Sequence, residues 1–236
     1  TQFSVSSLSR KLDVMNAKDY IDFGKANGYL TDTMLDTYYD GKTDVDWAEE
    51  VFVPSWNQRH TFGVQGGNAR GNYFASLNYV KNDGIFRGDK DTYNRLTFQL
   101  NADYKIKKWF TVGTNNSIEK WSTQSVSQRG YGSSFEAMLT MDPTTPVYWK
   151  SPDEFTVSMK NMYDQVQAGT AKVPYRFLGD ENGWYANTRY SDMEGSALAK
   201  RDATDSENGG FNINGTMFAN TTPLTRLRSE GGVCDA

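Results

Sequence analysis

Residues 93–121 read YNRLTFQLNADYKIKKWFTVGTNNSIEKW and contain two strand-like segments joined by a short turn. In the first segment every second residue is apolar, and the apolar set is Leu96, Phe98, Leu100, Ala102 and Tyr104. The residues between them are polar, namely Arg95, Thr97, Gln99, Asn101 and Asp103. Because successive side chains of a strand point to opposite faces, the pattern predicts a long amphipathic β-strand. About ten residues of tilted strand are enough to cross a bilayer.

The preceding segment shows the same alternation, with a tyrosine at each end of its apolar row. That row is Tyr73, Ala75, Leu77 and Tyr79, and it is interleaved with Asn72, Phe74, Ser76 and Asn78. Amphipathic rings favour the two membrane–water interfaces, so this placement is typical of an outer-membrane barrel. We predict strands over 59–66, 72–81, 92–105, 109–121 and 210–220, with the end of a further strand in residues 1–8.

A soluble β-sandwich is the alternative, because it also alternates apolar and polar residues with the apolar ones turned inward. The lengths of the connections favour the barrel. Tight connections at 66–71 and 106–108 alternate with longer ones at 82–91 and 124–208. Outer-membrane barrels have short periplasmic turns and long outer loops. The predicted fold class is therefore all-β, a partial antiparallel transmembrane β-barrel of about six strands from a larger barrel, with long extracellular loops that contain short helices.

Two short helices are predicted outside the strands. One spans residues 16–27, with Asn16 as the N-cap and Gly28 as the stop, and a polar connection follows it to Trp56. The other spans residues 134–141 and is ended by Asp142 and a proline. The predicted extracellular loop 124–208 carries no other strong pattern.

Bulk composition excludes several functional classes. The chain has 236 residues, a net charge of -4 and a mean hydropathy of -0.69, with no clustered basic face for nucleic acid. No run of about 18 apolar residues predicts a membrane helix. The single Cys234 excludes an internal disulfide, and the single His60 excludes a two-histidine zinc motif and argues against a serine triad. We expect no enzyme activity, no cofactor and no metal site.

An ordered series of short motifs resembles the SusC-like (RagA-like) TonB-dependent transporters. In that family a DW is followed by an H-x-x-x-x-x-GG strand, a tight turn, an NY-led strand and a K-W-x-x-V-G-x-N strand. The corresponding residues here are Asp46-Trp47, the stretch HTFGVQGG at 60–67, Asn72-Tyr73, and KWFTVGTN at 108–115. The resemblance covers residues 1–122 well and 196–223 loosely.

The resemblance implies location in the bacterial outer membrane and uptake of an oligosaccharide or peptide energised through TonB. It also implies a SusD-like surface lipoprotein as a partner, and contact with the TonB complex through an N-terminal region missing from this sequence. Residues 1–223 would be the N-terminal part of the barrel. Residues 224–236 would be an atypical tail, from a shifted frame or truncation or, alternatively, an ordinary polar terminus. We expect such a fragment not to function alone. The alternative function is a secreted, soluble β-sandwich that binds carbohydrate.

Candidate site residues fall into two groups. Aromatic rings stack on sugars and peptides, so the predicted ligand-binding residues of the long loop are Tyr131, Tyr148, Trp149, Trp184 and Tyr185; packing of the loop onto its neighbours is the alternative role. On the polar side of the 92–105 strand, Arg95, Gln99 and Asp103 are predicted to face the barrel lumen, where they contact a plug or a solute, or simply wet the wall. Asp44, Asp46, Glu49 and Glu50 offer oxygen ligands for calcium, but without EF-hand spacing we interpret them as solvated loop charge.

Overall fold

The computed structural model describes residues 1–127, 133–171, 177–188, 190, 195–204 and 206–222, and its main element is a six-stranded antiparallel sheet in the order β1-β2-β3-β4-β5-β9. These strands are β1 (Gln2–Ser6), β2 (Ser55–Asn68), β3 (Gly71–Asp83), β4 (Thr92–Lys107), β5 (Phe110–Gln124) and β9 (Glu207–Thr221). A small sheet has the order β6-β8-β7, with β6 (Tyr148–Trp149), β7 (Gly179–Asp180) and β8 (Gly183–Tyr185). The prediction of about six strands is confirmed.

The helices all lie in the connections between the long strands. They are α1 (Ala17–Ala26), α2 (Asp32–Tyr38), α3 (Trp47–Val51), α4 (Ser134–Thr140), α5 (Val157–Gln167) and α6 (Ala197–Ala203), with a 3₁₀ turn at Pro152–Glu154. None of the described helices is long and apolar enough to cross a membrane. The prediction for the tail 224–236 falls outside the described residues.

The strand register brings the predicted apolar rows onto one side of the main sheet, which we call the apolar face. One row crosses five strands, and it consists of Phe62, Leu77, Phe98, Ile118 and Ile213. The opposite side, the polar face, carries the intervening residues; one of its rows is Thr61, Asn78, Thr97, Glu119 and Asn212. A slip of one residue at any pair would reverse a strand, so the continuous rows confirm the predicted alternation.

The apolar face is open rather than packed against a second sheet. Leu96 is 45% exposed, Phe98 38% and Phe62 71%. In a β-sandwich these side chains would fill the space between two sheets about 10 Å apart. Among the described residues, the strands of the small sheet belong to the connection between β5 and β9, and they do not cover the side chains of the apolar face. The sandwich interpretation therefore fails on this face.

All three long connections leave the same end of the sheet. The register pairs Ser6 with Ser55 and Gln124 with Glu207, and it aligns Asp83 with Thr92. At the opposite end the connections between described strands are tight turns, at residues 69–70 and 108–109. The predicted alternation of short and long connections is thus confirmed in space as well as in sequence.

The long connections fold together into one body, which we call the loop lobe (the described residues of 7–54, 84–91 and 125–206). Its main core joins all three connections, through Trp47 and Val51 of α3, Phe86 of the β3–β4 connection, and Met138 and Leu198 of α4 and α6. The Trp47 indole N–H also donates to the Asp142 carbonyl at 2.9 Å. The lobe therefore has its own hydrophobic core.

The helix predictions are confirmed only in part. In α1 the Asn16 side chain accepts from the Asp19 N–H, and Gly28 takes a positive φ of 76° that stops the helix. Helix α4 begins at the predicted residue. The connection to Trp56 was predicted only as polar, and it contains two further helices, α2 and α3, with N-caps Thr31 and Asp46.

Replacing Leu198 by Ala tests the lobe core. Leu198 is 1% exposed, so Leu198→Ala removes packed methyl groups and should lower the free energy of unfolding of the lobe by about 2–5 kcal/mol. The matched control is Leu139→Ala, since Leu139 is 48% exposed. Hydrogen exchange of the lobe amides measures both variants, and equal effects would contradict the core as described.

Candidate functional site

The polar face places the three predicted lumen residues on one side of β4. Arg95, Gln99 and Asp103 share the face with Thr97 and Asn101 because they alternate with the apolar row. The Arg95 guanidinium lies 4.0 Å from the Glu119 carboxylate across the β4–β5 pair. Their common face is as predicted; that it lines a lumen stays a prediction.

A second basic residue joins Arg95 near the loop end of the polar face. The register places Arg59, Val80, Arg95 and Trp121 in one row across β2 to β5. A hollow of about 290 Å³ lies here, and its lining includes Ser4, Asn57, Arg59, Asn82, Tyr93 and Arg95. Arg59, Tyr93 and Trp121 were not among the predicted site residues. The alternation of the predicted strands 59–66, 92–105 and 109–121 could have found them, because it places all three residues on the polar sides of their strands.

A wider hollow of about 570 Å³ lies on the sheet toward the tight turns. It is lined by Gln65, Phe74, Asn101, Asp103 and Asn115, among others. Predicted lumen residue Asp103 lies in this hollow, whereas Arg95 lies in the one near the loop end. The two predicted residues therefore border different hollows along the same strand.

Four of the five predicted ligand-binding aromatics converge in the small sheet. Tyr148 pairs with Tyr185 and Trp149 with Trp184 in the β6–β8 ladder. Because neighbouring residues of a strand point to opposite faces, the two tyrosines and the two tryptophans serve different sides of that ladder. Tyr131 lies outside the described residues.

The tryptophans belong to a second hydrophobic cluster of the loop lobe. Trp149 is 1% exposed and packs in a cluster with Phe155, Met159 and Phe177. Trp184 is half-buried, and its ring meets Phe155 edge-on with centroids 6.2 Å apart. Packing is the role that the structure assigns to Trp149, and ligand contact stays a prediction that suits the partly exposed Trp184 better.

The tyrosines are tied to charged groups. The Tyr185 hydroxyl donates to Asp202 at 2.8 Å and accepts from Arg201 at 3.0 Å. Arg201, 7% exposed, also donates to the Arg87 carbonyl and pairs with Asp202 at 2.7 Å. One guanidinium thus joins β8, α6 and the β3–β4 connection. Arg201 was not predicted, and a single arginine in a pattern-free stretch gave no signal.

Tyr148 keeps more exposed surface than Tyr185. Its hydroxyl donates to Asp180 at 2.8 Å, and the Lys150 ammonium lies 5.3 Å from its ring centre. Burial first, and then the neighbouring Asp180 carboxylate, raise the pKa of Tyr148 from 10.0 to about 12. The pKa of Tyr185 is raised for the same two reasons, burial first and then Asp202.

The acidic residues considered for calcium have structural partners. Asp46 caps α3 and lies 2.6 Å from the Lys11 ammonium, which also contacts Glu49 at 2.6 Å. Burial alone would raise the pKa of Asp46, but the hydrogen bonds from Lys11 and the α3 backbone hold it below its usual value. Asp44 accepts from the Ala17 N–H at the start of α1. No group of three acidic, histidine or cysteine residues in the described ranges is arranged to hold a metal ion.

Three solved structures that share this fold are of one peptide importer, RagAB. The chain matches the RagAB peptide importer in its closed-closed state with a TM-score of 0.60 and 22% identity, covering 94% of this chain and 26% of that chain. It also matches the RagAB peptide transporter (0.59, 19%, 94% and 26%) and the open-open importer (0.60, 20%, 94% and 25%). The structural likeness to RagA confirms the resemblance seen in the motifs.

The matches cover only part of the solved chains. This chain spans about a quarter of the length of the solved chains that it matches. No family model matches the sequence, and no curated protein matches it. At such identities the comparison shows the fold, a mostly β segment with a six-stranded antiparallel sheet and short helices.

The raised tyrosine pKa values predict an alkaline loss of lobe stability. Unfolded tyrosine ionises near 10.0, whereas folded Tyr148 stays neutral to about 12. Its stabilisation is therefore complete below pH 10 and is lost as the pH rises through 12. Tyr148→Phe should make this loss shallower, because phenylalanine does not titrate. Urea unfolding of the lobe across that range measures the effect; Tyr29→Phe, at a 71% exposed site, is the control, and equal slopes in both variants would contradict the assignment.

Proposed function

We propose that this chain forms part of the wall and outer loops of a SusC-like, RagA-like TonB-dependent importer in the bacterial outer membrane. The observation that carries the proposal is the open apolar face across five strands, backed by a polar face. Large contiguous apolar surfaces on proteins mark contact with a membrane or a partner. A barrel wall needs lipid on one side and water on the other.

The height of the apolar face supports a membrane-facing role. From Leu96 to Tyr104 the β4 row extends about 27 Å along the strand at about 3.4 Å per residue. A tilt of about 40° reduces this to about 21 Å along the membrane normal, close to the apolar band of about 25 Å in outer-membrane barrels. Tyr73 and Tyr79 lie near opposite ends of the β3 row, as expected for interfacial tyrosines.

The two outer strands support membership of a larger barrel. Among the described residues the outer edges of β1 and β9 pair with no further strand. Unpaired backbone groups are costly in hydrocarbon, so a membrane barrel closes completely. Further strands are therefore proposed at both edges, in keeping with the quarter of the solved chains that this chain covers.

The proposed solute is a peptide. An oligosaccharide is the alternative, because transporters of this class take up either. RagAB is a peptide importer, which favours the peptide. The proposed partners are a SusD-like surface lipoprotein at the lobe and the TonB complex at the periplasmic side, with no role for nucleic acid. The loop lobe would lie outside the cell, and the polar face, with Arg95, Gln99 and Asp103, would line the lumen. In the lobe, Trp184 and Tyr148 are the aromatics proposed to touch the solute.

Arginine placed on either face of β4 tests this orientation. Phe98→Arg puts a charge on the apolar face and should destabilise the membrane-inserted barrel by about 2–4 kcal/mol. Gln99→Arg puts the same charge on the polar face and should change stability by less than about 1 kcal/mol. The measurement is urea unfolding of the complete transporter in lipid vesicles.

The neighbouring positions make the comparison a matched one. Both variants change the same strand at adjacent residues, so local strand propensity is almost the same. A larger loss in Gln99→Arg than in Phe98→Arg would reverse the faces, and equal losses would remove the membrane assignment.

A further inference from the structure

The hollow between Arg59 and Arg95 has the chemistry of an anion site. We infer that these two guanidiniums bind a carboxylate of the transported solute, an assignment that rests on the proposed import function. Guanidinium groups bind carboxylates through two parallel N–H···O bonds and keep their charge at any physiological pH. The carboxylate comes from a peptide C-terminus or from an acidic sugar.

The spacing of the two arginines allows both to reach one ligand. Arg59 on β2 and Arg95 on β4 occupy the same row and flank Val80 on β3. Two strand spacings separate their backbones by about 10 Å. Both side chains lie on the polar face and both line the hollow of about 290 Å³. That volume suits a terminal group rather than a whole drug-sized ligand.

The positive charge in this hollow is incompletely balanced. Among the described residues Arg59 makes no ion pair, and Arg95 faces Glu119 at 4.0 Å, the outer limit of such a contact. The Arg95 Nε atom is buried and has no hydrogen-bond partner within the described ranges of the chain. A buried donor without a partner is costly, so a ligand that accepts from it gains more than a surface contact would give.

Apart from Val80, the remaining lining is polar, and among the described residues it includes no acidic side chain. Ser4, Asn57, Asn82 and Tyr93 supply hydroxyl and amide groups around the arginines. Such neutral groups accept and donate hydrogen bonds without competing for the guanidiniums. Glu119 lies on the same face of β5, two residues closer to the tight turns than Trp121, and its carboxylate competes with a ligand for Arg95.

The experiment measures binding of two matched probes to the complete transporter in detergent. The two matched probes are one pool of random pentapeptides without Asp or Glu, prepared once with free C-termini and once with C-terminal amides. A third probe, oligogalacturonate, represents the acidic sugars. The free acid or oligogalacturonate should bind about 10 to 100 times more tightly than the amide. Which of the two binds identifies the source of the carboxylate.

Four variants separate a ligand role from a structural one. Arg59→Gln and Arg95→Gln should each reduce the preference for the acid about tenfold or more. Glu119→Gln removes the competing carboxylate and should strengthen acid binding, a gain that a merely structural role would not produce. Arg70→Gln, in the tight turn after β2, is the matched control and should leave the preference unchanged.

Several results would overturn the inference. One is equal binding of acid and amide by the unmodified transporter, and another is an unchanged preference in the Arg59 and Arg95 variants. Destabilised variants with an unchanged preference would assign the arginines to pairing within the protein. In each case uptake of amidated peptides and the arginine scan of β4 still test the import function separately. If no probe binds the unmodified transporter, the carboxylate assignment fails.

Discussion

The hydrogen-bonded ladder of the main sheet is the constraint on which the rest of the structure depends. Across β2 to β5 and β9 it holds a register that keeps the period-two alternation in phase, so that one face of these strands is mainly apolar and the other mainly polar. The ladder also fixes the polarity of the connections, because antiparallel order sends the three long ones to one end. A continuous apolar face, a polar face and a lobe at one end all follow from the same pairing.

The loop lobe depends on a different kind of interaction. Its secondary structure is short, with helices of five to eleven residues, and such helices are marginal alone. They are held by contacts between connections that are distant in sequence, such as Trp47 with the Asp142 carbonyl and Arg201 with the Arg87 carbonyl. Mounted on a rigid sheet, such a body is suited to carrying binding residues. The sheet offers two faces of different polarity, and the lobe offers a shaped surface at one end of them.

Much of this architecture was predictable from the sequence, and the unpredicted part has physical reasons. Strands of thirteen to sixteen residues repeat the alternation often enough to be recognised, and Asn16 with Gly28 bounds α1 by known capping chemistry. Strands of two or three residues, such as β6, carry no period, and α3 is a single turn whose existence depends on packing. The sequence identified the aromatic residues of the long loop as candidates for ligand binding. It could not show that Trp149 lies in a hydrophobic core while Trp184 keeps an exposed side. Arg59 was missed because it joins Arg95 only through the register of three strands.

The central claim is that the two faces of the sheet meet different solvents. It is tested most directly by spin labels at consecutive positions of β4, with Cys234 replaced by Ser, in the complete transporter reconstituted in lipid. Accessibility to oxygen, which concentrates in lipid, and to a water-soluble nickel chelate is measured at each label. The account predicts high oxygen accessibility at Leu96, Phe98 and Leu100 and high chelate accessibility at Thr97, Gln99 and Asn101. Equal chelate accessibility at all six positions, with no alternation, would contradict it.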